Sequence, residues 1–324
     1  MCTATVYRTD DFYFGRNLDL GAWQGERIVI TPRNYPFHFL YEGDMKSHRA
    51  IIGMAVVMND TPLYFDAANE SGLAIAGLNF PGNANFNKPI NGKRNVAVYE
   101  FIPWLLSNAD TVAEAKNILS DANLTDDEFA PGIKAATLHW MISDKNGSIT
   151  VEQTERGLFI YDNQPEVLTN NPEFPLQLFN LNNYRGLSPE DGENTFSDKL
   201  SMDIYCKGLG AIGLPGDLSS MSRFVKCAFT RLNSVSEKSE MGSVSQFFHI
   251  LGSVDQQRGA VIFGEGEYEI TVYSSCINCS KGIYYYKTYD NSRINAVDMN
   301  RENLESDNLI QYPLIMEQDI NYQN

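Results

Sequence analysis

MCTATVYRTDDFYFGRNLDL, residues 1–20, decides the fold. CTATVYR and FYFGRNLD are rich in β-branched and aromatic residues, and the turn signal TDD divides them, so the pair predicts a β-hairpin. With the turn centred on Asp10, Cys2 faces Leu18 across the ladder. Residues 4, 6, 12, 14 and 16 then share the Cys2 face, because side chains alternate along a strand. Arg16 falls on the thiol side and Asp19 just beyond it. A turn shorter by one residue reverses this parity.

Cys2 is the chemical centre of the hairpin. Loss of Met1 is favoured when the next residue is small, and it leaves a thiol and an α-amine on one residue. Their ordinary pKa values are about 8.5 and roughly 7.7–8.0, so the amine suits the role of built-in base for the thiol. A small core residue at a strand start is the structural alternative. Arg16 suits thiolate stabilisation or substrate positioning, and Asp19 suits holding the α-ammonium. A solvated ion pair on a strand edge is the commoner fate of such residues.

Outward from the hairpin, RIVITPRNY, AIIGMAVVM, LYFDAA and LAIAGLNF read as strands. Residues 99–121 read as helical, with Pro103 a potential break and Thr111 and Glu114 at capping-box spacing. ATLHWMIS, SITVEQT and GLFIYDN return to strands. Residues 180–217 are poorly periodic and rich in Asn, Gly and Pro. Helices are expected from Ser219 or Ser220 through SRFVKCAFTRLNSV, and over VSQFFHIL; YEITVYSS, GIYYYKTYD and RINAVDM then read as strands. Strands at both ends with helices grouped between them predict an α+β layered domain, two mostly antiparallel sheets with helices outside.

Two asparagines sit in apolar settings, Asn79 in AGLNFPG and Asn170 in LTNNPEF. An amide N–H stabilises a tetrahedral oxyanion without adding a mobile charge. Backbone capping in a turn fits both positions equally. Arg223, early in a helix, reads locally as a surface charge.

The composition narrows the function classes. The chain has 324 residues, 43% of them hydrophobic, enough for a large core. A net charge of −16 argues against nucleic acid and offers no general attraction for an anion. No run reaches the roughly 18 apolar residues of a membrane span. The N-terminus lacks a basic head and apolar signal core, so a soluble cytoplasmic protein is expected. Five cysteines, an odd count without an export signal, suggest reduced thiols. Cys276-x-x-Cys279 lacks a matching second pair for a metal site, and the four histidines are scattered. Phosphate-loop, dinucleotide, His-Glu-x-x-His and Gly-x-Ser-x-Gly signatures are absent. None of these patterns marks a metal or cofactor site.

Taken together, the N-terminal hairpin, AGLNFPGNA, LTNNPEFPLQLFNLNNYR, IGLPGDLSSMSRFVK, QFFHILGSV and GIYYYKTYDN resemble the choloylglycine hydrolase family of N-terminal-nucleophile hydrolases, its bile salt branch most closely. The resemblance runs from Cys2 to the end of the chain. It implies an αββα four-layer fold as a single domain over residues 2–324, Met1 removed and no cofactor. It carries the nucleophile onto Cys2 and supporting roles onto Arg16, Asp19, Asn79, Asn170 and Arg223. It also implies a homotetramer, with 180–217 as a protruding arm, and bile acids amide-linked to glycine or taurine as substrates.

Penicillin V acylases of the family typically carry tyrosine at the place of Asn79, so Asn79 favours the bile salt branch. A steroid acyl group needs an apolar cleft. The candidate walls are Leu20 and Trp23 on one loop, Met58 and Phe65 on another, and Phe129, Ile133 and Leu138 on a third. The alternatives are a penicillin V acylase or other amide hydrolase on the same site, and a non-catalytic binder of amphipathic ligands.

Overall fold

The structure is a computed structural model that describes residues 1–324, and the first hairpin has the predicted register: Cys2 pairs with Leu18 and Ala4 with Arg16. The chain begins with β1 (Cys2–Arg8), β2 (Phe12–Leu20), β3 (Arg27–Thr31), β4 (Phe37–Phe39), β5 (Gly43–Met45), β6 (Ile51–Met58), β7 (Thr61–Asn69), β8 (Ala74–Asn79) and β9 (Arg94–Ala97). Helices α1 (Phe101–Asn108) and α2 (Val112–Leu119) come next. They lead into β10 (Ala122–Thr125), β11 (Leu138–Asp144), β12 (Gly147–Thr154), β13 (Gly157–Asp162), β14 (Val167–Leu168) and α3 (Phe174–Asn180). After α4 (Ser220–Asn233) and α5 (Glu240–Gly252) come β15 (Ile262–Gly264), β16 (Glu267–Tyr268), β17 (Ile270–Asn278), β18 (Ile283–Thr288), β19 (Asn295–Asp298) and β20 (Ile310–Pro313).

Fourteen of these strands form two sheets, six in the order β14-β1-β2-β17-β18-β19 and eight in the order β13-β12-β11-β8-β7-β6-β3-β20. Every neighbouring pair is antiparallel. One core joins Ala4, Val6 and Phe14 of the smaller sheet to Met54, Ala76 and Leu78 of the larger, and continues to Phe224 of α4 and Phe247 of α5. A second core packs the outer face of the larger sheet, with Ile75 and Trp140, against Trp104, Leu105 and Leu119 of α1 and α2. The layers therefore run helix, sheet, sheet, helix, each element burying its apolar face against the next.

Residues 2–7 of β1 and 12–19 of β2 are all buried, because the eight-stranded sheet covers one face and α4 and α5 the other. Gly15 lets β2 approach β17: a Cβ there would lie 2.0 Å from the Ser275 carbonyl oxygen. No helix is long and apolar enough to cross a membrane.

Several local expectations change in the fold. The helical stretch 99–121 divides into α1 and α2, and Pro103 sits in the first turn of α1, where its missing N–H costs no helical bond. Thr111 caps α2 by accepting from the Glu114 N–H, while the Glu114 carboxylate reaches back to the Asp110 N–H. Leu20, Met58, Phe65 and Leu138 stand on strands rather than loops. Between Met58 and its partner Thr61 the turn is only Asn59 and Asp60, with φ of 50° and 58°, the left-handed pair that lets two strands run to the edge of a tight hairpin. Strands β14 and β20 and helix α3 complete the layers without a strong periodic signal of their own.

Candidate active site

Alternation along β1 and β2 sorts the polar side chains onto two faces. Cys2 and Arg16 point between the sheets; Thr3, Asn17 and Asp19 point to the helix layer. Arg16 is fully buried, and its Nη1 donates to the Phe65 carbonyl at 3.2 Å and also to the Gly77 carbonyl. Its Nε reaches the Asn17 carbonyl at 3.4 Å, and its Nη2 has no partner. Burial opposes the Arg16 charge, but Cys2, Tyr273, Asp66 and Asp19 outweigh it and hold the pKa above its ordinary value.

Three chain segments meet at Cys2. The Cys2 backbone N–H donates to Asn170 Oδ1 at 2.8 Å. The same oxygen accepts from Arg223 Nη2 at 2.7 Å, so its acceptor capacity is used. Asn170 Nδ2 donates to the Asn79 backbone carbonyl at 2.7 Å. Arg223 Nη1 donates to Thr3 Oγ1 at 2.6 Å and to the Cys2 carbonyl at 2.5 Å, and Nε to the Leu218 carbonyl at 2.9 Å. Arg223 is thus a buried clamp on the N-terminal strand, not the surface charge its local sequence suggested. It shares the inner stripe of α4 with Phe224, Cys227 and Ala228.

Asp19 lies 3.9 Å from Arg223 Nη1 and accepts from Thr271 Oγ1 at 2.7 Å and Gln256 Nε2 at 3.3 Å. Burial raises the Asp19 pKa despite Arg223, and burial lowers that of Arg223 despite Asp19. Desolvation therefore outweighs mutual attraction in this pair. The Met1 ammonium meets the Asp19 backbone carbonyl at 2.8 Å, not its carboxylate, and pairs with the Glu269 carboxylate. Burial lowers the pKa of that ammonium.

Asn79 stands at the exposed end of β8. Its Oδ1 accepts from Thr137 Oγ1 at 3.1 Å, and its Nδ2 donates to no protein group. Buried Arg16 Nη2 and exposed Asn79 Nδ2 thus have no protein acceptor.

The proposed walls divide by position. Leu20 and Phe65 pack against the inter-sheet core that contains Cys2, and Phe65 also supplies a carbonyl to Arg16. Leu138 packs instead on the outer core with α1 and α2, because it shares a face with Trp140. Phe129 is edge-on to Tyr99 at 5.3 Å. Trp23 and Ile133 are exposed and Met58 is half-buried, with no contact that brings them to Cys2.

Sequence reasoning passed over several polar groups around the site. Asp66 is fully buried and accepts from Tyr273 at 2.5 Å, Tyr284 at 2.7 Å and Ser275 at 3.0 Å, beneath Arg16, whose own N–H donates to Ser275 Oγ. Gln177 Nε2 donates at 3.0 Å to both Thr169 Oγ1 and the Asn170 carbonyl. The available signal was a polar residue inside an otherwise buried element. Cys276 and Cys279 are free, buried thiols.

Residues 2–312 match the family model described as linear amide C–N hydrolases, choloylglycine hydrolase family. A bile salt hydrolase/transferase of Lactiplantibacillus plantarum is 52% identical over 314 residues, 97% of each chain. A crystal structure of a variant conjugated bile acid hydrolase from Clostridium perfringens superposes with a TM-score of 0.91 at 39% identity, covering all of both chains. A penicillin V acylase from Agrobacterium tumefaciens shares the fold, with a TM-score of 0.73 at 20% identity over 96% of this chain and 90% of its own.

Proposed function

The chain belongs to the choloylglycine hydrolase family of linear amide C–N hydrolases, and from that membership we propose that it deconjugates bile salts, cleaving the amide to glycine or taurine with Cys2 as nucleophile. The observation that carries the proposal is the convergence of Asn170 and Arg223 on the backbone of Cys2. Removal of Met1 turns the Cys2 N–H into an α-amine that already has an acceptor in Asn170.

In the proposed reaction the amine takes the thiol proton and Sγ attacks the amide carbonyl carbon. A tetrahedral oxyanion forms, and the amine returns the proton to the leaving nitrogen. Collapse releases glycine or taurine and leaves a thioester, which water hydrolyses to bile acid and free thiol. Asn79 and Asn170 stabilise the oxyanion or fix the thiol. Arg16 and Asp19 set the polarity around the thiol and amine, and Arg223 holds the strand in place. Phe65, whose carbonyl meets Arg16, and Leu20 are the proposed inner steroid contacts, with Trp23, Met58, Phe129 and Ile133 as the proposed outer ones.

We place the enzyme in the cytoplasm as a homotetramer with residues 180–217 as the arm between subunits. Exposed Phe196, Tyr205 and Ile212 on that segment support such a contact. The deciding experiment assays glycocholate, taurocholate and penicillin V side by side. Higher kcat/KM for either bile salt is expected; a preference for penicillin V moves the chain to the acylase branch, and inactivity on all three sinks the proposal.

A further inference from the structure

His139 of β11 and Glu152 of β12 are both fully buried. His139 Nδ1 lies 3.0 Å from Glu152 Oε1, and Nε2 lies 2.9 Å from the Thr169 carbonyl. The two Glu152 oxygens accept the Phe174 N–H at 3.0 and 3.2 Å. The imidazole stacks on Phe80 with centroids 4.1 Å apart and planes 7° apart.

The partners of this pair are adjacent to the site in sequence. Thr169 precedes Asn170, and Phe80 follows Asn79. Phe174 closes the far end of the segment that carries Asn170. Two segments separated by about ninety residues are therefore gripped by one imidazole, next to the bond from Asn170 Nδ2 to the Asn79 carbonyl.

The chemistry of the pair follows from its partners. A carbonyl only accepts, so Nε2 carries hydrogen toward Thr169. At 3.0 Å two lone pairs cannot face each other in a dry core, so a proton lies between Nδ1 and Oε1. Every polar side-chain atom of the pair is then bonded, the condition on which a buried polar pair is tolerated.

We propose that His139 and Glu152 are positioning residues, a buried hydrogen-bonded pair that ties the segments carrying Asn79 and Asn170 into the geometry that amide cleavage at Cys2 requires. The proposal rests on the roles given above to those two asparagines. Neither residue touches the reacting atoms; they act through Thr169, Phe80 and Phe174.

Glu152→Gln, Glu152→Ala and His139→Ala test it, with Asn170→Ala in parallel. In Glu152→Gln the new amide N–H donates to a neutral Nδ1, its oxygen accepts from Phe174, and Nε2–H still reaches Thr169. That variant should keep kcat within about threefold of the parent. Glu152→Ala and His139→Ala break the tie and should lose about 100-fold in kcat, the cost of misplacing reacting groups by an ångström, with little change in KM. Rates are expressed per folded protein, measured by circular dichroism at the assay temperature, so unfolded protein is not counted; if His139→Ala does not fold, the two Glu152 variants decide.

Unchanged kcat in Glu152→Ala beside lost kcat in Asn170→Ala refutes the pair alone. Equal losses in Glu152→Gln and Glu152→Ala refute the bridging bond. Unchanged kcat in Asn170→Ala removes the asparagine roles, and the pair's role with them.

Discussion

Replacing Asn170 with alanine removes three hydrogen bonds in one step. Its Oδ1 accepts from the Cys2 N–H at 2.8 Å and from Arg223 Nη2 at 2.7 Å, and its Nδ2 donates to the Asn79 carbonyl at 2.7 Å. Cys2 and Arg223 are buried, so water does not replace the lost acceptor. Asn79 is exposed, and water readily takes the third partner. Leaving a buried polar group unpaired costs about 1–3 kcal/mol, more when it is charged, so two such groups predict a destabilisation of about 3–5 kcal/mol. Activity should fall further than stability alone predicts. The Cys2 nitrogen loses the acceptor that orients it, and a donor is lost near the developing oxyanion, a change that costs about 100- to 1000-fold in kcat. The assay is thermal unfolding followed by circular dichroism, beside kcat and KM on glycocholate at a temperature where the variant is folded. A variant that melts with the parent and turns over at the parent's rate refutes the assigned role of Asn170.

Cys2→Ala should retain the fold and lose hydrolysis, and Cys2→Ser should lose most of it; parent-like turnover by the alanine variant excludes Cys2 as nucleophile. An uncleavable tag before Cys2 should inactivate the enzyme while a C-terminal tag is tolerated, checked by intact mass and turnover. Asn79→Tyr should depress bile salt cleavage relative to penicillin V cleavage, read as the ratio of the two kcat/KM values; an unchanged ratio removes Asn79 as a determinant of choice. Glu100 supplies a pH test of stability. Burial raises its pKa from the ordinary 4.5 to about 7, while it accepts the Leu40 N–H. A raised pKa gives a stabilising contribution that is full below about pH 4.5 and is lost as pH rises through about 7. Glu100→Gln lacks that loss, so it should gain about 2 kcal/mol on the parent between pH 4.5 and 8, after allowance for partial solvent screening. Parallel stability curves for the two proteins count against it.

The hairpin was legible because a three-residue turn signal and strict alternation fixed which residues face Cys2. The layered class followed from strands at both ends of the chain. Alternation already separates Arg16 from Asp19, but local sequence does not report which face of a strand meets helices, so the placing of Arg16 between the sheets and Asp19 toward the helices emerged only in the fold. Arg223 illustrates the same gap. As a lone charge early in a helix it suggests solvent, yet it lies on the stripe of Phe224, Cys227 and Ala228, and a charge on an apolar stripe is itself a signal. His139 and Glu152 were readable only as polar residues within strands. The wall residues were the least legible, because a half-buried apolar side chain looks the same whether it lines a cleft or finishes a core, as Leu138 does.

Strand β1 lies inside its sheet, between β14 and β2, and its first residue is fastened by Asn170 and Arg223. This first strand is thus translated early and fastened late. At about 5–20 residues per second, the ribosome needs about 10–45 s to travel from Cys2 to Arg223. For most of that interval the end of the nascent chain is open to enzymes that trim initiator methionine, because Glu269, which pairs with the ammonium, follows Arg223 in the chain and is not yet made. A slow stretch of codons before position 223 would lengthen the exposure, and a faster one would shorten it. Under the proposal that Met1 is trimmed, synthesis speed, a property of the message and not of the fold, becomes a determinant of how many molecules emerge with a free N-terminal thiol and how many close around an untrimmed end.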